Sequence, residues 1–341
     1  MTNMLFRRAQ NTDLDVIHEL ALKCGVGLTS LPKDIGLLNH RLAWSSDSFE
    51  AIHEQPYNSY YLFVLEDTEH KRIVGTSAIQ SSISKDNPLY SFKLSKLNQQ
   101  SDDLNVCNTV NVLRFVTNNH RYSELCTLFL DPAYRHSTNG VQLSRSRFLF
   151  MATLPERFQA SLVAEMRGIS NLEGQSPFWD AVGSHFFHMS YSEADRLRIT
   201  SNQKFIHDLM PKIPIIIDLL PKSAQEVIGK THQSTQPALN MLLREGFEFT
   251  NYIDIFDAGP TIKVARNKIK TIKRSQVLTV KAIVDEIDSK PYIITNTLID
   301  FRGLISKISI DDNTCSILKT AAELLQIKCG DRIRCVKLEN K

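Results

Sequence analysis

Apolar and polar positions change their spacing several times along the chain, and each change marks an element. Met4 to Arg8 reads as a short strand. Leu14, Ile17, His18, Ala21 and Leu22 then recur at helical spacing behind Asn11 and Thr12, either of which can cap the helix. Gly25 to Pro32 is a loop rich in backbone donors with hydroxyls at Thr29 and Ser30, and its composition fits a substrate-lining segment and a plain connector equally. Leu37 to Phe49 is predicted as an amphipathic helix, and Tyr60 to Glu66 with Arg72 to Ser81 as a hairpin turning at Asp67 to His70. Lys85 to Asn111 shows little periodicity and is expected to be a polar excursion on the surface or at a subunit contact.

The most informative stretch is Ser123 to Met151. The apolar run Leu125 to Leu130 reads as a buried strand that stops at Asp131-Pro132. A turn of His136, Ser137, Thr138 and Asn139 between Arg135 and Gly140 follows, and then Leu143, Arg147, Phe148 and Met151 recur at helical spacing. A helix start leaves backbone N–H groups unpartnered and carries partial positive charge, so strand, small-residue loop and helix make a site for a phosphate anion. The same unit also occurs as plain architecture, and spacing alone leaves both readings open.

Downstream, Phe158 to Met166 is predicted as a strand closing in Arg167-Gly168. Ser176-Pro177 caps a helix carrying Phe178, Trp179, Val182 and Phe186, with Trp179 expected in the core rather than stacked on an adenine. Glu193 to Gly246 reads as almost wholly helical, broken at Pro211, Pro214, Pro221 and Pro237, with Gly246 as the final stop before a strand from Asn251 to Phe256. Gly259-Pro260 is expected to end a first domain of residues 1–262. Lys263 to Gln276 is basic without one acid, which suits a solvated helix face or linker, or a contact with cofactor phosphates. From Val277 short β-rich pieces, a helix over Thr320 to Gln326 and a last strand from Asp331 to Leu338 suggest a small β-barrel-like domain over residues 263–341.

Composition narrows the function classes. The 341 residues suffice for two domains, and 42% hydrophobic residues suffice for packed cores. A formal charge of +3 gives no electrostatic case for nucleic acid, so small molecules are the expected partners. Six cysteines lack C-x-x-C spacing and the first ten residues lack a signal-peptide core, which together suggest reduced thiols in the cytoplasm. No apolar run approaches the roughly 20 residues of a membrane span. His185 and His188 lie at helical spacing without neighbouring ligands and are expected to pack rather than bind zinc, so no metal is expected.

Several motifs carry a resemblance to known proteins. Arg135-x-x-Thr138-x-Gly140 resembles the Q/R-x-x-G-x-G/A pyrophosphate loop of GCN5-related N-acetyltransferases, with Thr138 in place of the first glycine. The strings GLTSLP, YLFVLED, SELCTLFLDP, SRSRFLFM, VAEMRG, SPFW, LMPK, VIG-x-x-H and NYIDIFDAGPT, in this order, resemble the arginine N-succinyltransferase family up to about Thr261, and more loosely beyond. The resemblance implies an α/β (α+β) fold of the GCN5-related type, with a mixed, mostly antiparallel splayed sheet and a helical extension. It implies transfer of succinyl from succinyl-CoA to the α-amino group of L-arginine in arginine catabolism. Ornithine or another amine as acceptor, or a non-catalytic acyl-CoA sensor, are the alternatives.

By position, the resemblance puts succinyl-CoA on Leu128 and the proton donor on His232. Arg135, Thr138, Asn139 and Gly140 would cradle the pyrophosphate; Thr138 tolerates ordinary turn angles. Only the neutral amine attacks a thioester, and backbone N–H groups on the central strand can hold the developing oxyanion. His232 titrates in a range that suits protonation of the departing thiolate or relay from the amine, whereas Cys126 and Ser144 are not needed as nucleophiles. Glu124, Glu165, Asp254 and Asp257 are candidates for the guanidinium, and Arg167, Thr29 and Ser30 for the carboxylates of succinyl and arginine. The expected partners are thus L-arginine and succinyl-CoA, without nucleic acid or membrane, in a chain compatible with a homo-oligomer.

Overall fold

A computed structural model describes residues 4–25, 27–83, 88–118, 122–171, 173–200 and 203–338. Among the described residues fifteen strands form one continuous pairing order: β1 (Met4–Arg8), β2 (Tyr60–Asp67), β3 (Arg72–Gln80), β4 (Leu89–Ser101), β5 (Val106–Asn118), β6 (Ser123–Leu130), β7 (Ser161–Glu165), β8 (Ile215–Ile216), β9 (Glu248–Asp254), β10 (Pro260–Ala265), β11 (Gln276–Val284), β12 (Pro291–Asn296), β13 (Arg302–Asp311), β14 (Thr314–Leu318) and β15 (Arg332–Lys337). The spatial order is β12-β15-β11-β14-β13-β1-β2-β3-β6-β7-β10-β9-β4-β5-β8. All the pairs are antiparallel except β6 with β7 and β11 with β14, so the sheet is mixed and mostly antiparallel, as expected.

Helices α1 (Leu14–Leu22) and α2 (Ile35–Glu50) cover one face of the central strands, and α3 (Asn139–Thr153) covers the other. The start of α1 differs from expectation. A 3-10 turn over Asn11–Asp13 precedes it, and the Asp13 carboxylate, rather than Asn11 or Thr12, accepts the Gln10 N–H at 2.7 Å while pairing with Arg7 at 2.8 Å. On the α3 side Phe150 packs against Phe49, Tyr61, Phe63, Phe158 and Phe301, an aromatic core drawn from both ends of the chain. Ser176 accepts the Trp179 N–H, and Trp179 is fully buried and stacked on Phe256, so its expected core role holds.

Three expectations are corrected. The described part of Lys85 to Asn111 does reach out on the surface as expected, but as regular structure: β4 and β5 pair over thirteen residues each, from Leu89↔Asn118 to Ser101↔Val106. The outer half of this ribbon is solvated on both faces, so no apolar alternation marks it; Lys85 to Asn87 lie outside the described residues. Glu193 to Gly246 is not almost wholly helical. Tyr191–Thr200, Lys204–Leu209 and Gln236–Glu245 are helices, but between Met210 and Thr235 the regular structure is limited to short turns, Lys222–Gln225 and the two-residue β8. Prolines 211, 214 and 221 interrupt that stretch, whereas Pro237 starts a helix instead of breaking one, since its missing N–H is not required in the first turn. Gly246 ends that helix at φ 104°, as expected.

The third correction concerns Gly259-Pro260. Pro260 begins β10, which pairs with β7 and β9 inside the main sheet, so the sheet runs on to Ala265, past the expected end of the first domain. Lys263 is therefore a strand residue rather than part of a linker, and a short helix over Lys270–Arg274 follows. Glu245 fixes that helix: its carboxylate accepts the Thr271 N–H and hydroxyl, each at 2.8 Å, and pairs with Arg145 of α3 at 3.2 Å. In the last part of the chain β12 pairs with both β13 and β15, so five strands close on one another through β13-β14-β11-β15. Strand β14 has no counterpart in the sequence reading. Strand β13 also pairs with β1, joining this part to the main sheet.

Candidate active site

The site begins with a flaw in β6. Opposite β3, Cys126 pairs with Ala78 and Phe129 with Thr76, so Thr127 and Leu128 together stand against Ser77. Two residues against one is a bulge, and it reverses the alternation of side chains. Leu125 faces the α3 core before the bulge, and Leu128 and Leu130 face it afterwards. Thr127 sits at φ 58°, a conformation that a β-branched residue adopts only under constraint. The constraint is visible: Ser30 Oγ accepts the Thr127 N–H at 2.9 Å, Thr127 Oγ1 donates to the Ser30 carbonyl at 3.1 Å, and Thr76 Oγ1 donates to the Thr127 carbonyl at 3.0 Å. With its proton given to Ser30, Thr127 Oγ1 takes the buried Tyr60 hydroxyl at 2.7 Å. Arg41 ties down the same loop through the Ser30 carbonyl at 2.8 Å and that of Thr29 at 3.4 Å.

The parallel partner of β6 then leaves it. β6 and β7 pair only at Ser123↔Leu162 and Glu124↔Val163, and beyond Glu124 the ladder is open. The bulge with Leu128 thus lies on the free side of a split in the sheet. At the far end of β6, Asp131 accepts the Ala133 N–H and pairs with Lys23 at 2.5 Å, a contact that holds its carboxyl below the usual range. In the following turn Ser137 takes the positive φ of 57°, while Thr138 lies at φ −107°, so threonine fits where the related loop has glycine. Asn139 is buried, donates to the Tyr134 carbonyl at 3.1 Å and leaves Oδ1 without a partner; Arg135 donates to the Leu130 carbonyl at 2.9 Å and lies over Phe129. At Gly140 a Cβ would meet nothing nearer than Leu130 at 3.9 Å, so the space above this helix start is open.

His232 is brought to the other lip of the split. Its N–H donates to the carbonyl of Arg167, two residues past the end of β7, at 2.9 Å. The Ser234 N–H can only donate, and it reaches His232 Nδ1 at 3.1 Å, with Ser234 Oγ at 2.7 Å from the same atom. The proton of the neutral ring is therefore on Nε2. Burial first, and then the Arg167 guanidinium, lower the pKa of His232, partly offset by the Ser170 backbone. A neutral imidazole can donate a hydrogen bond from Nε2, and it becomes an acid strong enough for a thiolate only after taking up a second proton.

Between the lips lies a buried charged cluster. Arg198 pairs with Asp254 and Glu165 at 2.9 Å each. Asp254 Oδ1 also accepts the N–H groups of Phe256 and Asp257, and Asp257 spends its oxygens on Gly168 at 2.8 Å and Gly259 at 2.9 Å. These two aspartates therefore pin the crossing of the segments after β7 and β9. Gly168 and Gly259 are needed there, because a Cβ would lie 2.1 Å from the Asp257 carbonyl or 2.0 Å from that of Met166. Burial pushes Asp257 up to about 7 and Glu165 up to about 8, and raises Glu124 as well, against the pull of Arg198. Arg167 donates to Ser170 Oγ at 2.8 Å and leaves Nε, beside Gly25 and Gly27, buried without a partner among the described residues; Asp195 accepts the Gly27 N–H at 3.2 Å.

The structure thus gathers Leu128, Glu124, Glu165, Arg167, Asp254, Asp257 and His232 around one split. It assigns the Ser30 hydroxyl and the Thr29 carbonyl to loop anchoring. Thr127, Arg41, Asp195, Arg198 and Thr261 also belong to the site, and no motif in the sequence marks them. Only Asp195 and Arg198 left a signal: with Tyr191 and Ala194 they form an i, i+3, i+4, i+7 face, which places two charges on an apolar stripe. Cys126 lies half-buried with its thiol pushed up to about 12 by burial, which suits packing, and Ser144 Oγ accepts from Arg147. No cluster of three or more metal-ligating side chains occurs among the described residues, and no described helix is long and apolar enough to cross a membrane.

Comparison with known proteins agrees over the whole length. The profile described as arginine N-succinyltransferase beta subunit matches residues 4–271, and that of the C-terminal domain of the same subunit matches residues 276–337. Proteins called arginine N-succinyltransferase from Photorhabdus laumondii and Yersinia enterocolitica are 38% and 40% identical, with 98% of each chain covered in both cases. The solved structure of arginine/ornithine succinyltransferase subunit AI from Pseudomonas aeruginosa superposes with a TM-score of 0.91 at 35% identity, covering 100% of both chains. The chain is an enzyme of the acyltransferase class. It belongs to the arginine N-succinyltransferase family.

Proposed function

We propose that the chain transfers the succinyl group of succinyl-CoA to the α-amino group of L-arginine, giving N2-succinyl-L-arginine and CoA. The observation that carries this reading is the full-length correspondence with proteins named for that reaction. The geometry supports it. A bulged strand beside an open ladder offers backbone groups at Leu128 for the thioester carbonyl, where charge develops as the amine adds. The start of α3, from Arg135 through Thr138, Asn139 and Gly140, would take the pyrophosphate. The amine loses a proton as it adds; His232 would take up that proton and give its Nε2 proton to the departing thiolate sulfur, so that the ring ends the turnover neutral. Arg167 would receive a substrate carboxylate, with the Thr29 and Ser30 loop beside it. Holding amine and thioester together supplies the rest, and neither a covalent intermediate nor a metal enters the scheme.

The finer architecture belongs to the same proposal. The splayed mixed sheet would be that of the GCN5-related acyltransferases, and the closed five-strand C-terminal part a small barrel-like domain. The expected boundary at 262/263 would then shift to the segment after the Lys270–Arg274 helix, where the two family profiles divide. The enzyme would act in the cytoplasm on small molecules, without nucleic acid or membrane, and assemble as an oligomer; the family profile and the solved relative are both described as subunits. That relative is named for ornithine as well as arginine, which favours ornithine as a second acceptor. Thiol release from succinyl-CoA and from acetyl-CoA, measured with arginine, ornithine and lysine, tests the reading. Succinyl-dependent release with arginine is expected, and no release with any basic amino acid would refute it.

A further inference from the structure

We infer that Glu165 and Glu124, with the Thr261 hydroxyl beside them, hold the cationic side chain of the acceptor amino acid, and that Arg198 is the internal counter-ion of this subsite. The inference rests on the reading that the chain acylates a basic amino acid, and it narrows the acidic candidates to two.

Register sets the geometry. Glu124 stands opposite Val163 on β7, Glu165 is two residues further along, and Thr261 of β10 is the antiparallel partner of Glu165. Paired residues share a face, as do residues two apart, so these three side chains project to one side at the mouth of the split. Their neighbours Leu125, Ala164 and Ile262 turn the other way, into the α3 core.

Free hydrogen-bonding capacity sets the chemistry. Asp254 and Asp257 are engaged by Arg198 and by four backbone N–H groups. Glu165 gives only Oε2 to Arg198; its Oε1 is buried without a partner among the described residues. Thr261 is 4% exposed, and its hydroxyl is likewise buried without a partner among the described residues, directly across the ladder. Buried polar atoms left unmatched are costly; here a carboxylate oxygen and a hydroxyl oxygen on one face can both accept from a donor outside the chain. Glu124 faces Arg198 and Arg41 without a hydrogen bond to either among the described residues.

Charge points the same way. Glu124, Glu165, Asp195, Asp254 and Asp257 interact with Arg198, Arg167 and Arg41, so acidic groups outnumber cations and a further cation would favour their ionised forms. A planar guanidinium, with donors on several edges, can engage one carboxylate and a hydroxyl at once and a second carboxylate across the split. From Glu124 to Leu128 four strand residues span at most about 13 Å. An extended arginine with a hydrogen bond at each end fits that distance.

The test is calorimetric binding of L-arginine and of its uncharged isostere L-citrulline to the full-length protein, with steady-state kinetics alongside. Wild type is expected to bind arginine and to bind citrulline at least about tenfold more weakly. Glu165→Gln, whose amide oxygen can still accept from Arg198, is expected to weaken arginine binding roughly tenfold to hundredfold while the KM for succinyl-CoA stays unchanged. Thr261→Val leaves the ion pairs untouched and is expected to weaken arginine binding severalfold, so it decides the matter if Glu165→Gln fails to fold. Equal affinity for citrulline in wild type, or arginine binding at wild-type strength in the folded variants, would overturn the inference. Arginine-selective binding without any thiol release would instead refute the proposed reaction and leave this subsite standing.

Discussion

Ser30 and Thr127 hold each other in a reciprocal pair, the hydroxyl of Ser30 accepting the Thr127 N–H at 2.9 Å and the hydroxyl of Thr127 donating to the Ser30 carbonyl at 3.1 Å. They are 97 residues apart in sequence. The pair fixes the left-handed Thr127 in the middle of a strand, and thereby the direction in which the next residue, Leu128, presents its backbone.

Removing one hydroxyl from this pair therefore reaches both stability and binding. Ser30→Ala leaves the buried Thr127 N–H without its acceptor, a loss of about 1–3 kcal/mol in denaturant unfolding. The KM for succinyl-CoA is expected to rise with it, since the bulge is no longer held. A variant with wild-type stability and KM would show that the bulge is fixed by β3 alone.

His232→Gln is expected to lower kcat by roughly 10²- to 10⁴-fold with little change in either KM, the signature of a lost proton transfer. The pH profile carries a second check. Burial and Arg167 depress the His232 pKa, so the neutral ring, able to take up the proton that the amine loses, persists through neutral pH. The acid limb of kcat that belongs to His232 should accordingly lie below the ordinary histidine range, and it should vanish in the variant. An unchanged kcat would remove His232 from the chemistry.

Arginine binding should release protons. Burial pushes Glu165 up to about 8, and Glu124 also upward, in a cluster faced by Asp254, Asp257, Arg198 and Arg41. A carboxyl whose pKa is raised is protonated in the empty site below that pH, and a bound cation favours its ionised form. Affinity should then increase as pH rises from about 6 towards 8. Calorimetry in buffers of different ionisation enthalpy counts the protons, and the count should be smaller in Glu165→Gln than in wild type. Equal counts would mean that Glu165 is already ionised in the empty site.

Two glycines should respond in opposite ways to alanine. Gly259→Ala places a Cβ about 2.0 Å from the Met166 carbonyl in a crossing of two backbones, and loss of soluble, folded protein is expected. Gly140→Ala meets nothing nearer than 3.9 Å and should fold with an unchanged melting temperature. Its methyl group occupies the open space above the α3 start, so the KM for succinyl-CoA should rise while that for arginine stays the same. An unchanged KM would place the pyrophosphate elsewhere.

What the sequence determined by itself was local and periodic. Apolar runs, helical spacing and capping residues predicted β1, the β2–β3 hairpin, β6, α3 and most of the C-terminal strands, because those elements lie in or against the buried cores. Ordered motifs with His232 and Leu128 among them were enough to suggest the family. The β4–β5 ribbon escaped because its outer half is solvated on both faces, and β10 because Pro260 reads as a stop although it opens a strand between β7 and β9. Tertiary structure alone decided the site. The bulge at Thr127 depends on a hydroxyl far away in the chain, and Thr261 matters only because the ladder sets it against Glu165. Which carboxylates stay free depends on how Arg198 and the backbone N–H groups use up the others. A sequence supplies acids and hydroxyls, but their unspent hydrogen bonds are a property of the fold.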